Sequence, residues 1–101
     1  MKIQLTSISD LLIVQPTVFE DPRGYFFESY NKKQFVDAGI DVDFVQDNQS
    51  MSQAGVLRGL HFQNPPYEQG KLVRVIKGAV LDVAVDIRKN SNTYGQFVAC
   101  E

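Results

Sequence analysis

An all-β domain with a single short helix is the fold class this sequence predicts. Three observations carry it: short apolar or β-branched runs recur along the chain, turn-forming residues punctuate them at steady spacing, and only one segment has helix signals at both ends. Seven or so such strands in 101 residues point to a sandwich or a barrel.

The elements follow in order. Residues 11–19 are rich in apolar and β-branched side chains, and Pro16 makes them an edge strand or a broken one. Asp21-Pro22-Arg23-Gly24 reads as a turn, because proline presets φ and glycine permits the reversal. A second strand then covers 25–30. Asn31 is placed to cap a short helix through Phe35 and Ala38, with Gly39 as its stop. Residues 44–52, 56–63 and 71–76 are the next expected strands, broken at Gly55 and at Asn64-Pro65-Pro66. Lys77-Gly78 is expected to close a hairpin into 80–88, and 93–100 supplies one more strand.

A two-residue loop at Lys77-Gly78 would set Val73 opposite Asp82 and Lys71 opposite Ala84, so that Lys71, Asp82 and Asp86 share a face. The other face carries Leu72, Ile76, Leu81, Val83, Val85 and Ile87, an apolar surface interrupted by Arg74. In an open sheet the charged face is the wet one; in a closed barrel it lines a cavity. The hairpin by itself allows both.

Composition narrows the function. Ten Lys and Arg against twelve Asp and Glu leave a net charge of -2, without the basic field that nucleic acid requires. A small anion remains a possible ligand, since a few placed cations suffice for a phosphate. Cys100 stands alone, so no internal disulfide can form, and no apolar run approaches the roughly 20 residues of a membrane span. The expected location is the cytoplasm, with neither nucleic acid nor membrane as partner. No repeat or linker divides the chain, so residues 1–101 are read as one domain.

Among residues that could carry chemistry, His61 is the only histidine, in the run Arg58-Gly59-Leu60-His61-Phe62-Gln63. Its side chain suits proton transfer near neutral pH, although a lone histidine is more often a hydrogen-bonded structural residue. On a regular strand Arg58 and His61 face opposite ways, unless Gly59 introduces a bulge. One histidine cannot supply a multi-histidine metal site, and no nucleophile elbow is present. Arg23, Arg58, Lys71 and Arg74 are candidate anion contacts, and Phe19, Tyr25, Phe26, Phe27 and Phe62 candidate stacking surfaces. Each of these, taken singly, also reads as a solvated cation or a core ring.

Four segments taken together resemble the dTDP-4-dehydrorhamnose 3,5-epimerase family: DPRGYFFESYN (21–31), FVQDNQSMSQAGVLRGLHFQ (44–63), QGKLVRVIKGAVLDVAVDIR (69–88) and SNTYG (91–95). Their order and spacing are colinear with that family over nearly the whole chain after residue 10. The resemblance implies a cupin-type jelly-roll barrel, a homodimer, no cofactor and no metal, and a dTDP-linked 4-keto-6-deoxy sugar as substrate. By the same resemblance His61 is the base that removes protons beside the C4 ketone, Lys71 stabilises the enolate oxygen, and Asp82 is a carboxylate on the barrel wall. Arg58 is a substrate-binding arginine, and Arg23, Glu28, Gln46 and Asn48 match positions contacting the nucleotide sugar. Alternatives are a dTDP-sugar-binding module without complete catalysis, a 3-epimerase acting on one carbon, or a ketoisomerase. The family returns a proton with a tyrosine from a later strand and orients its histidine with a further aspartate. Both lie beyond Glu101, so an incomplete barrel is expected, and Tyr25, Tyr30, Tyr67 and Tyr94 match other positions.

Overall fold

A computed structural model describes residues 1–101. It contains six short strands in three antiparallel pairs and one helix. The chain divides into two compact units, Met1–Ile40 together with Val75–Glu101, and Asp41–Arg74.

All the regular structure lies in the first unit. Strand β1 (Lys2–Leu5) pairs with β2 (Leu12–Gln15), Lys2 opposite Gln15 and Leu5 opposite Leu12. Pro16, which has no N–H to give a ladder, follows directly on the last paired residue. The β1–β2 connection is tied by Thr6, whose hydroxyl donates to the carbonyls of Ile8 (3.0 Å) and Leu11 (2.8 Å). Ile8 is thereby turned inward and is buried. The Lys2–Leu5 strand was not among the expected elements, although its Lys-Ile-Gln-Leu alternation is a strand pattern.

Strands β3 (Phe19–Asp21) and β4 (Gly24–Phe26) form a tight hairpin around the expected turn, with Asp21 opposite Gly24. The Asp21 carboxylate accepts from the Arg23 N–H at 2.8 Å, the local bond through which Asp favours turns. This second expected strand stops at Phe26 rather than Tyr30.

Helix α1 (Lys32–Asp37) begins and ends where its sequence signals place it. The Asn31 side-chain oxygen accepts from the Gln34 N–H at 3.1 Å, satisfying one of the unpaired donors of the first turn. At the far end Gly39 adopts φ 85°, and bonds from Gly39 N–H to Val36 O (2.9 Å) and Ile40 N–H to Phe35 O (2.8 Å) close a Schellman motif. The buried ring of Phe35 anchors the helix edge-on against Tyr30, with centroids 4.9 Å apart.

The expected hairpin at Lys77-Gly78 is not a β-ladder. Asp82–Val85 (β5) pairs instead with Phe97–Cys100 (β6), which puts Asp82 opposite Cys100 rather than Val73. Residues 44–52, 56–63 and 71–76 form no ladder either, though the turns expected between them are present, with Val56 N–H on Gln53 O (3.3 Å) and Tyr67 N–H on Asn64 O (2.9 Å). The physical reason is that a strand is a property of two segments. Alternation makes a stretch competent to pair, and a neighbour must supply the facing N–H and C=O groups. These stretches are also strongly exposed: Val45 at 88% and Leu57 at 92%. Their apolar side chains are left standing in solvent, without the packing partners that alternation prepares them for.

Candidate functional site

The candidate residues fall in both units. Gln46, Asn48, Arg58, His61 and Lys71 belong to Asp41–Arg74; Arg23, Glu28 and Asp82 belong to the other. All eight are exposed.

In the Asp41–Arg74 unit, Gln46 and Asn48 are joined directly by a bond from Gln46 Nε2 to Asn48 Oδ1 of 3.2 Å. The pair sits two apart on an extended stretch, where same-parity side chains stand together. Arg58 reaches back across its own loop. Its Nε donates to Ser52 Oγ and its Nη2 to the Met51 carbonyl, both at 2.9 Å. The backbone then swings at Gly59, whose φ of 119° is open to glycine and strained for other residues. Gly59 was the candidate for a bulge between Arg58 and His61; no ladder and hence no bulge forms there, and the glycine instead takes a positive φ. A methyl group built on Gly59 would lie 3.9 Å from His61 Nδ1, so the imidazole stands over this turn.

In the other unit, Arg23 is already engaged. Its guanidinium grips Asp21 with Nη2 2.6 Å and Nε 3.2 Å from Oδ2, although its side chain is 90% exposed. The guanidinium is the main reason the Asp21 carboxyl lies below the usual carboxylate range. Glu28 accepts from Asn31 Nδ2 (3.1 Å) and Gln34 Nε2 (2.7 Å), so both its oxygens face the first turn of α1.

Asp86, expected on the charged face of its strand, is buried, and its carboxylate is fully engaged within its own unit. Arg88 Nε (2.9 Å) meets Oδ1, while Ser91 Oγ (2.6 Å) and Thr93 Oγ1 (2.7 Å) meet Oδ2. Arg88 continues to Asp10 Oδ2 and the Ser9 carbonyl, both at 3.0 Å, and so ties the β1–β2 turn to the β5–β6 loop. The Arg88 guanidinium first, then the Ser91 and Thr93 hydroxyls, hold the Asp86 carboxyl far below the usual range, and Asp86 raises Arg88 in return. No sequence signal marked this clasp, because the parity of a strand gives the face of a side chain and not its partners. Two shallow depressions, of about 220 and 290 Å³, flank the Ile8–Leu11 turn beside the clasp and contain none of the eight candidates.

Ser52 is a further residue that sequence reading passed over. Its hydroxyl, a single atom on a common loop residue, acquires meaning only from the guanidinium placed against it.

The chain is similar to proteins of one known family along nearly its whole length. The family model described as dTDP-4-dehydrorhamnose 3,5-epimerase matches residues 5–101. The chain is 59% identical over 99 residues to the dTDP-4-dehydrorhamnose 3,5-epimerase of Shigella flexneri, which covers 97% of this chain and 55% of that protein. It is 58% identical over 92 residues to the enzyme of the same name from Methanothermobacter thermautotrophicus, 91% of this chain and 49% of that one. Among solved structures, the Bacillus anthracis dTDP-4-dehydrorhamnose 3,5-epimerase with TDP and PPi bound is similar at TM-score 0.94 and 46% identity, over 98% of this chain and 57% of that one. The Legionella pneumophila dTDP-6-deoxy-D-glucose-3,5-epimerase, in complex with dTDP-4-keto-L-rhamnose, gives TM-score 0.91 and 51% identity over 98% and 53%. The fold class is thus the all-β, cupin-type jelly roll with one short helix, and no closed barrel forms within these residues. The chain spans about half the length of the curated relatives it matches.

Proposed function

The chain belongs to the dTDP-4-dehydrorhamnose 3,5-epimerase family, and from that membership we propose that it supplies the proton-abstracting side of an epimerase acting on a dTDP-linked 4-keto-6-deoxy sugar. The observation that carries this reading is its 51% identity to the Legionella enzyme over 98% of the chain, that enzyme being complexed with dTDP-4-keto-L-rhamnose.

The chemistry asks little of the protein. A C–H beside a ketone becomes removable when the charge arriving on oxygen meets a fixed cation, and the ketone itself is the electron sink. In this reading His61 takes the proton and Lys71 steadies the enolate oxygen. Asp82, on β5, contributes its carboxylate to the cavity wall, and Arg23, Glu28, Gln46, Asn48 and Arg58 hold the nucleotide sugar. The exposure of His61 and Lys71 supports the assignment, since both must be reached by ligand. No organic cofactor or metal enters this scheme. The two compact units act as parts of one domain, supported by a family match that runs through both. The working form is a cytoplasmic homodimer, for which the exposed apolar side chains of residues 45–62 supply contact surface.

The test is exchange of substrate protons with solvent. With dTDP-4-dehydro-6-deoxy-D-glucose in deuterated water, the chain incorporates deuterium beside the ketone, and His61→Ala slows this by about 100-fold or more. Equal incorporation by His61→Ala and the parent chain would overturn the role of His61. Absence of incorporation by the parent, with dTDP still bound, would favour a nucleotide-sugar-binding module.

A further inference from the structure

The cations available to a nucleotide diphosphate differ sharply in what already occupies them. Arg23 is spent on a carboxylate, which neutralises its charge and takes its Nε and Nη2. Arg88 lies between two carboxylates, those of Asp86 and Asp10. Arg58 is unlike both. Its two acceptors, Ser52 Oγ and the Met51 carbonyl, are neutral oxygens, so the guanidinium is held in place while its charge stays uncompensated.

The consequence is geometric. A guanidinium has five N–H groups in a fixed plane. Ser52 and Met51 take one from Nε and one from Nη2 along the side edge, leaving one N–H of Nη1 and one of Nη2 directed together at the outer end of the fork. That end matches two oxygens of one phosphoryl group. An exposed arginine otherwise loses rotamer freedom when it binds, at a cost in affinity; one held beforehand loses less.

We propose that Ser52 is a positioning residue of this site, holding Arg58 for end-on, two-point binding of a phosphoryl group of the nucleoside diphosphate. This deepens the function proposed above and rests on its assignment of Arg58 to substrate binding. Ser52 acts through Arg58 and touches no reacting atom.

Calorimetric titration of the full chain with dTDP, inorganic pyrophosphate and thymidine separates the possibilities. Ser52→Ala weakens dTDP and pyrophosphate by about 3- to 10-fold, the loss expected from one less ordered side chain, and leaves thymidine unchanged. Ser52→Thr, which keeps the hydroxyl, restores parent affinity. In an Arg58→Ala background Ser52→Ala has no further effect on pyrophosphate. Full affinity of Ser52→Ala for pyrophosphate, with Arg58→Ala impaired, would overturn the proposal while sparing Arg58 as a ligand contact. Unimpaired pyrophosphate binding by Arg58→Ala, or none by the parent chain, would overturn the underlying reading and the proposal with it. Equal weakening of thymidine by Ser52→Ala would mark Ser52 as merely structural and also count against it.

Discussion

Asp86 is the clearest case of one residue tying several elements together. Its carboxylate holds Arg88, Ser91 and Thr93, and through Arg88 it reaches Asp10. Because the folded state keeps this carboxyl far below its ordinary range, the unfolded chain takes up its proton first as pH falls. The stability Asp86 lends is therefore complete above its unfolded value. It fades as pH drops below about 4 toward the folded value. Asp86→Asn, which keeps shape but loses charge, should lower the urea midpoint at pH 7 and flatten its decline from about pH 5 to pH 2. Urea titrations of both chains across that range check this; parallel curves would remove the clasp from the acid response. The sequence made Asp86 legible as a carboxylate on a strand face, but its partners lie two, five and seven residues away and Arg88 reaches a further carboxylate seventy-eight residues off, a pattern that no periodicity encodes.

At the scale of the element, helix α1 and the β3–β4 hairpin were legible because their determinants are local. Asn31 and Gly39 flank a six-residue helix and do there what those residue types do elsewhere. Asn31→Ala should cost about 1 kcal/mol, with Asn31→Asp nearly neutral, as measured by urea unfolding. Equal losses would mean that Asn31 works through Glu28, to which its Nδ2 donates, rather than as a cap. Gly59→Ala should disturb the loop carrying the proposed base specifically, since φ of 119° is strained for alanine. It is expected to reduce proton exchange more than it reduces thermal stability, and the reverse order would deny that this turn places His61. The expected pairing of 71–76 with 80–88 failed for a non-local reason. Val83 and Val85 alternate correctly for a strand, yet alternation is indifferent to whether the partner is 71–76 or, as found, 97–100.

The whole molecule exposes 9217 Å². A self-sufficient monomer of 11.4 kDa would expose about 5,800 Å². The excess, roughly 3,400 Å², is well beyond the ~800 Å² that a standard interface covers on one partner. Only Ile8 and Phe35 are buried hydrophobic residues, whereas Leu57, Leu60, Phe62, Val73 and Leu81 stand in solvent. The 101-residue chain should accordingly bind a hydrophobic dye strongly and self-associate with rising concentration, as seen by sedimentation. A monodisperse monomer that leaves the dye dark would mean that these faces find cover within the chain.

What the sequence determined by itself was the class of the fold, the helix with its two ends, the turn at Asp21–Gly24, and the residue types able to carry proton transfer and anion binding. All of these depend on contacts a few residues long or on side-chain chemistry that needs no neighbour. Tertiary structure alone decided that Asp82 faces Cys100, that Asp86 serves a clasp, and that Arg23 and Arg58, alike in sequence, differ in the charge they have left to offer. Those outcomes turn on which distant group occupies each hydrogen-bonding position, and a polar group's function is set by the partner it has already taken.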